Sequence, residues 1–203
     1  MKKVLVILYY WPPSGGSGVQ RGLYLVKYLR QFGWEPVVYT PSNPEYPAVD
    51  HSLEKEIPEG VEVVKRPIWE PYQIYKRFTG QASESRIKSL VVTEKKKKRN
   101  WAHRLSVWIR GNFFIPDSRV MWVRPSIRFL SDYLKDHPVD AIISSSPPQS
   151  MHLIARGISE RFKIPWIADF RDPWTGISYF GDLGLTKWAI SKHFKQERSV
   201  LNS

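Results

Sequence analysis

VLVILYYWPPSGGSGVQRGLYLVKYLRQFGWEPVVYT, residues 4–40, decides the fold of this 203-residue chain. Val4 to Tyr10 is an unbroken apolar, β-rich run, the pattern of a central parallel strand covered on both faces. A loop of Pro, Gly and Ser follows. Val19, Leu23, Val26, Leu29 and Phe32 then recur at helical spacing, with Gly33 where a left-handed C-terminal residue belongs. Glu35 to Thr40 reads as a second strand. Joined this closely, the three segments form a βαβ unit, whose crossover is right-handed.

The same alternation continues downstream. Pro41 to Pro58 is loop-like, and Val61 to Val64 reads as a third strand. From about residue 68 to 125 the pattern blurs, which predicts an insertion. It holds the basic run Lys95 to Arg99 and an amphipathic stretch around Trp101, Leu105 and Trp108. Regularity returns at Ser126, placed to cap a helix bearing Ile127, Leu130 and Leu134. Asp140 to Ser144 reads as a fourth strand, Met151 to Phe162 as a helix, and Pro165 to Phe170 as a fifth strand. A last helical pattern around Trp188 and Ile190 runs to Ser203. Strands alternating with helices predict an α/β, Rossmann-like, mostly parallel sheet with helices on both faces.

Composition narrows the partners. Cysteine is absent, which removes disulfides and thiolate metal sites. Lys and Arg outnumber Asp and Glu by 31 to 19, a formal charge of +12 that favours anionic partners. The start MKKVLVILYYW imitates a signal peptide, but the run stops at Pro12-Pro13 with no small-residue cleavage site. No later stretch has the roughly 18–20 apolar residues that span a bilayer. The expectation is a cytoplasmic protein with no anchor.

In a doubly wound sheet, ligands bind outside the carboxyl ends of the strands. Three loops are placed there. The first, Pro12 to Gly18, leads into a helix start, where backbone N–H groups and the helix dipole favour phosphate or pyrophosphate. Gly15, Gly16 and Ser17 would cradle that anion and Arg21 would face it; alternatively the glycines serve only the turn and Arg21 is merely exposed. The spacing is neither that of a dinucleotide fingerprint nor that of an ATPase P-loop. The second loop, Ser144 to Ser150, offers Ser145 and Ser146 to sugar hydroxyls, with helix capping by Gln149 or Ser150 as the competing role. His152 falls beside the apolar stripe of its helix and is not counted as catalytic. The third, Asp169-Phe170-Arg171-Asp172-Pro173-Trp174, is costly to bury unless its charges are paired or bound to ligand. Asp169 and Asp172 suit sugar hydroxyls, Arg171 suits phosphate, and Trp174 suits a sugar ring; an internal Asp–Arg brace is the competing role.

Residues 4–40 also resemble the opening of family 4 glycosyltransferases, with a Pro before a Gly-Gly loop, an Arg soon after, and a helix ending at Gly before the second strand. SSSPPQSMHLIA and PWIADFRDPWT resemble the fourth- and fifth-strand loops of a bacterial subgroup of that family. The resemblance implies one half of a GT-B fold, the N-terminal, acceptor-side domain over residues 1–203, with a donor-binding C-terminal domain outside this chain. It implies transfer with retention from a nucleotide sugar to a glycan or lipid-linked acceptor, without a metal or other cofactor. By the same resemblance, Gly15 and Gly16 would approach the donor pyrophosphate, and the loops at Ser145 and at Asp169 to Trp174 would line the acceptor side. Where many relatives have a His at the end of the fourth or fifth strand, this chain has Ser and Arg171, so no catalytic residue is carried over. This half alone is expected to be inactive.

The basic insertion reads either as a solvated loop or as a contact with an anionic membrane at the inner face, its tryptophans at the interface. Two other readings stay open: a stand-alone phosphate- or nucleotide-binding module, and a basic nucleic-acid-binding protein. The latter lacks any recognised nucleic-acid module.

Overall fold

The computed structural model describes residues 1–69 and 101–203, and the Lys95 to Arg99 run lies outside the described residues. Five strands form one all-parallel sheet: β1 (Lys2–Ile7), β2 (Trp34–Pro41), β3 (Glu62–Arg66), β4 (Ala141–Ser146) and β5 (Trp166–Phe170). Their order is β3-β2-β1-β4-β5, the doubly wound arrangement that the alternating pattern predicts. The chain leaves β1 for β2 in one direction and later returns to β4 on the other side of β1. That reversal puts the topological switch point between the carboxyl ends of β1 and β4.

Five helices are described: α1 (Ser17–Leu29), α2 (Trp101–Phe113), α3 (Val120–Asp136), α4 (Ser150–Phe162) and α5 (Lys187–Leu201). Alternation along β1 sorts the core into two layers. Leu5, Ile7 and Tyr9 pack with Leu130, Leu134, Met151 and Ile154 beneath α3 and α4. Val4, Val6 and Leu8 face the other way, onto Leu23 and Val26 of α1. Two covered faces explain why β1 carries no polar alternation. The α1 helix tightens into a 3-10 turn at Arg30–Phe32 and stops at Gly33, whose φ of 80° lies in the left-handed region. The last helix, α5, lies outside α4, with Ala189, His193 and Val200 turned inward.

Part of the expected insertion is regular structure. The α2 helix falls inside it, and α3 begins at Val120 rather than at Ser126. Pro125 hides that start because proline lacks the N–H that continues a helical ladder. Ser126 is therefore not a cap. It is 1% exposed, and its Oγ accepts from the Tyr39 hydroxyl at 2.8 Å across the sheet–helix interface.

Candidate functional site on the carboxyl rim of the sheet

The loop after β1 runs over the rim from Leu8 to Gly16. It is stitched to the segment after β2: Gly15 N–H donates to the Ala48 carbonyl at 2.9 Å and Asp50 N–H to the Pro13 carbonyl at 2.8 Å. The Gly15 amide is therefore engaged within the chain. Gly16 stands at φ 91° and ψ 177°, a region open in practice only to glycine, so its conformation alone demands that residue. Gly16 and Ser17 are exposed, and no side chain caps the helix that follows. The first N–H groups of α1, which the helix itself cannot use, thus face the rim with the positive end of the helix dipole behind them.

Arg21, one turn into α1, reaches across to β5. Its Nε and Nη2 donate to the two carboxylate oxygens of Asp169 at 2.8 and 2.6 Å, a bidentate pair. Ser145 Oγ, at the end of β4, donates to the same carboxylate at 2.8 Å. Hydrogen bonding from Arg21, then from Ser145, holds the Asp169 carboxyl below its ordinary range against the opposing effect of burial. The guanidinium of Arg171 lies over the helix start: a Cβ placed on Gly18 would come within 2.6 Å of its Nη1. The same hypothetical Cβ would sit 3.5 Å from the Tyr10 ring. The charged loop thus packs its Arg171 guanidinium against the first turn of α1 beside Gly18. Arg171 also pairs with Asp172, its Nη2 donating at 3.2 Å.

The first and third loops thus meet on one rim, and β4 contributes Ser145 between them. Residues assigned from sequence to different ligands, Arg21 and Asp169, are bonded to each other. The internal Asp–Arg brace of the third loop exists as Arg171–Asp172, while Arg21–Asp169 is a further pair between α1 and the end of β5. From the bridge, a groove of about 500 Å³ continues between Tyr24 and Tyr28 of α1 and Ile143 and Ile167 of the sheet.

Two residues belong to the interior instead. Trp174 is 4% exposed, and its indole donates to His193 Nδ1 of α5 at 3.0 Å, so its ring presents no open face to a sugar. Ser146 is 1% exposed, with no partner for its hydroxyl among the described residues. The start of α4 is capped neither by Gln149 nor by Ser150. Asp117 caps it from the segment before α3, accepting from Ser150 N–H at 2.8 Å and from Ser150 Oγ at 2.9 Å. His152 is fully buried, with Nδ1 2.7 Å from Ser144 Oγ.

Sequence reasoning passed over Tyr10. It is half-buried against Gly18 and rests edge-on to Tyr9, ring centroids 5.0 Å apart, with Tyr46 at 6.3 Å. Its position at the end of an apolar run made it look like strand core. The pairing of β1 with β2 ends at Ile7, so the following residues pass onto the rim. Among the described residues no group of His, Asp and Glu could hold a metal ion. No described helix is long and apolar enough to cross a membrane.

No family model and no curated protein matches this chain. Among solved structures it is similar to the C-terminal domain of a hydrogenase from Pyrococcus furiosus, at 12% identity and TM-score 0.44, over 82% of this chain and 90% of that one. It is also similar to a glycosyltransferase from Rickettsia africae, at 12% identity and TM-score 0.42, over 89% of this chain and 32% of that one. A third likeness is to the spinosyn rhamnosyltransferase SpnG complexed with thymidine diphosphate, at 15% identity and TM-score 0.44, over 95% and 41% respectively. The chain therefore spans less than half the length of these two glycosyltransferases. At such values the likenesses carry no argument about function, and the strand order itself establishes the Rossmann-like fold.

Proposed function

We propose that the domain is the acceptor-side half of a retaining, GT-B-type glycosyltransferase of the family 4 kind, with its carboxyl rim forming one wall of the transfer crevice. One observation supports this reading above the others. The glycine turn, the end of β4 and the charged loop are drawn into a single network by the Arg21–Asp169–Ser145 bonds and by Arg171 over Gly18. A nucleotide-sugar pyrophosphate would meet the exposed amides of Gly16 and Ser17, with Arg171 alongside; Gly15 would hold the turn. Asp172, only partly engaged by Arg171, would accept from an acceptor hydroxyl. Asp169 and Arg21 would hold the two sides of the rim at a fixed spacing. The reading requires a second, donor-binding domain and a glycan or lipid-linked acceptor, and no cofactor besides the donor. It places the enzyme in the cytoplasm.

The test uses protein joined to its donor-binding half. Arg171→Ala and Asp172→Ala are expected to lower sugar transfer by about 100-fold, the scale of one positioned charged hydrogen bond in a reacting site. Donor affinity, titrated separately, is expected to fall far less with Asp172→Ala than turnover does. Unchanged turnover in both variants would remove the charged loop from the site. Donor binding by the isolated chain without any transfer in the longer protein would favour a stand-alone phosphate-binding module.

A further inference from the structure

The two faces of the sheet are not equally covered. Helices α3 and α4 lie over one of them. On the other, Leu23 and Val26 of α1 pack on Val6 of β1 and Val38 of β2, and Ile143 of β4 joins the edge of that cluster. Ile167 of β5, beside Ile143 in the strand register, is left 63% exposed. All-parallel sheets ordinarily bury both faces, so a bare isoleucine on a strand marks a place where something else fits.

The groove that starts at the Arg21–Asp169 bridge runs along this bare strip. Tyr24 and Tyr28 form its helix wall, their rings stacked with centroids 6.5 Å apart, and Phe32 lines its far end. From Arg21 to Phe32 the helix rises about 16 Å. A volume of about 500 Å³ spread over that length leaves the width of one extended hydrocarbon chain, and it falls in the range of small-molecule sites. The strand register adds a polarity gradient. On this face of β4 and β5 the paired positions pass from Ile143 and Ile167 to Ser145 and Asp169, one pleat nearer the rim. Among the described residues, the two charged side chains that line the groove, Arg21 and Asp169, neutralise each other. The slot is therefore largely apolar along its body and polar where it opens on the rim.

We propose that this groove between α1 and the β4–β5 strip holds the hydrocarbon chain of an amphiphilic acceptor, whose polar end rests at Ser145 and Asp169. The chain would lie between the Tyr24 and Tyr28 rings and the Ile143–Ile167 pair, out of water along its length. Each methylene buried in such a slot tightens binding by up to about fourfold. A free glycan has nothing to place against these walls. The assignment to an acceptor rests on the transferase reading, and it selects the acceptor that carries a chain. The hydroxyl to be glycosylated would then emerge on the rim, beside the Arg171–Asp172 loop and the exposed amides of Gly16 and Ser17.

The full chain is titrated with methyl, hexyl and octyl β-glucoside, each below its micelle concentration, and followed by methyl and amide resonances. Octyl glucoside is expected to shift Ile143, Ile167, Tyr24 and Tyr28 together with Ser145 and Asp169 along one saturating curve. Hexyl glucoside should bind about tenfold more weakly, and methyl glucoside should leave these signals in place. Ile167→Glu and Tyr28→Gln, both at exposed positions, are each expected to weaken octyl glucoside at least about tenfold with unchanged circular dichroism. Trp188→Ser, on the outer face of α5, should bind as the parent does. Three results would overturn the proposal: shifts spread equally over the exposed aromatics of α5, unchanged affinity in both groove variants, or a concentration-dependent dimer that Ile167→Glu abolishes. The transferase reading is separated from it by turnover. A silent groove, with Arg171→Ala still lowering transfer in the longer protein, would remove the chain site and leave the reading intact.

Discussion

At Ser144 one hydroxyl serves two neighbours. The Trp166 indole donates to it at 2.8 Å, and His152 Nδ1 lies 2.7 Å away. An indole can only donate, and the hydroxyl has lone pairs to spare, so Ser144 accepts from Trp166 and shares one further hydrogen bond with Nδ1 of the buried imidazole. Burial pushes the His152 pKa down to about 4 from its ordinary 6.5, despite the raising influence of Asp169. The sign follows from which state takes the proton first. As pH falls below about 6.5 the unfolded chain binds it while the folded chain resists, so stability is full above that value and is lost down to about 4. The loss amounts to about 3 kcal/mol. Urea unfolding at pH 7 and pH 4.5 measures it; His152→Leu is expected to flatten the dependence, and an equally steep profile in that variant would remove His152 as its source. His193 shifts in the same direction, mainly through burial, and supplies the residual slope. At this scale the sequence was least legible. Helical spacing placed His152 beside the apolar stripe, because spacing records the faces of a helix and not the hydroxyl that a neighbouring strand presents to it.

Secondary-structure elements were far more legible, for a physical reason. A parallel strand covered on both faces is apolar throughout, so the run at Val4 to Tyr10 stands out, and shorter apolar runs at Val37 to Tyr39 and Ala141 to Ile143 mark β2 and β4. Gly33 marked the end of the first helix because the left-handed conformation strongly favours glycine. The failures had two causes, one local and one distant in sequence. The start of α3 was hidden by Pro125, and the cap of α4 is provided by Asp117, 33 residues from Ser150. No local pattern announces a cap that comes from another part of the chain. Asp117→Ala should leave the Ser150 amide and hydroxyl without their acceptor, at a cost of about 1–2 kcal/mol. Chemical denaturation checks this, and Asp117→Asn, which keeps an acceptor oxygen, is expected to recover part of the loss. No change in either variant would show that water caps α4 equally well.

For the whole molecule, the strand order carries the functional reading. Doubly wound topology brings the loops after β1, β4 and β5 to one rim, and all three were legible as loops that could bind ligand. Their mutual pairing was not legible. Arg21 and Asp169 are 148 residues apart, and only the fold brings them within 2.6 Å. Trp174 looked like a sugar platform because its loop is polar, yet it is buried and its indole donates to His193 of α5. The rim that remains is built of exposed amides at Gly16 and Ser17, the Arg171 guanidinium, and the Ser145–Asp169–Arg21 network. The most direct test is the amide spectrum of the chain titrated with millimolar pyrophosphate. If the rim is a single anion-binding wall, Gly16, Ser17 and Gly18 should shift along one saturating curve together with Asp169 to Asp172. Shifts confined to surface lysines elsewhere, or a rim that stays silent while other amides move, would contradict it.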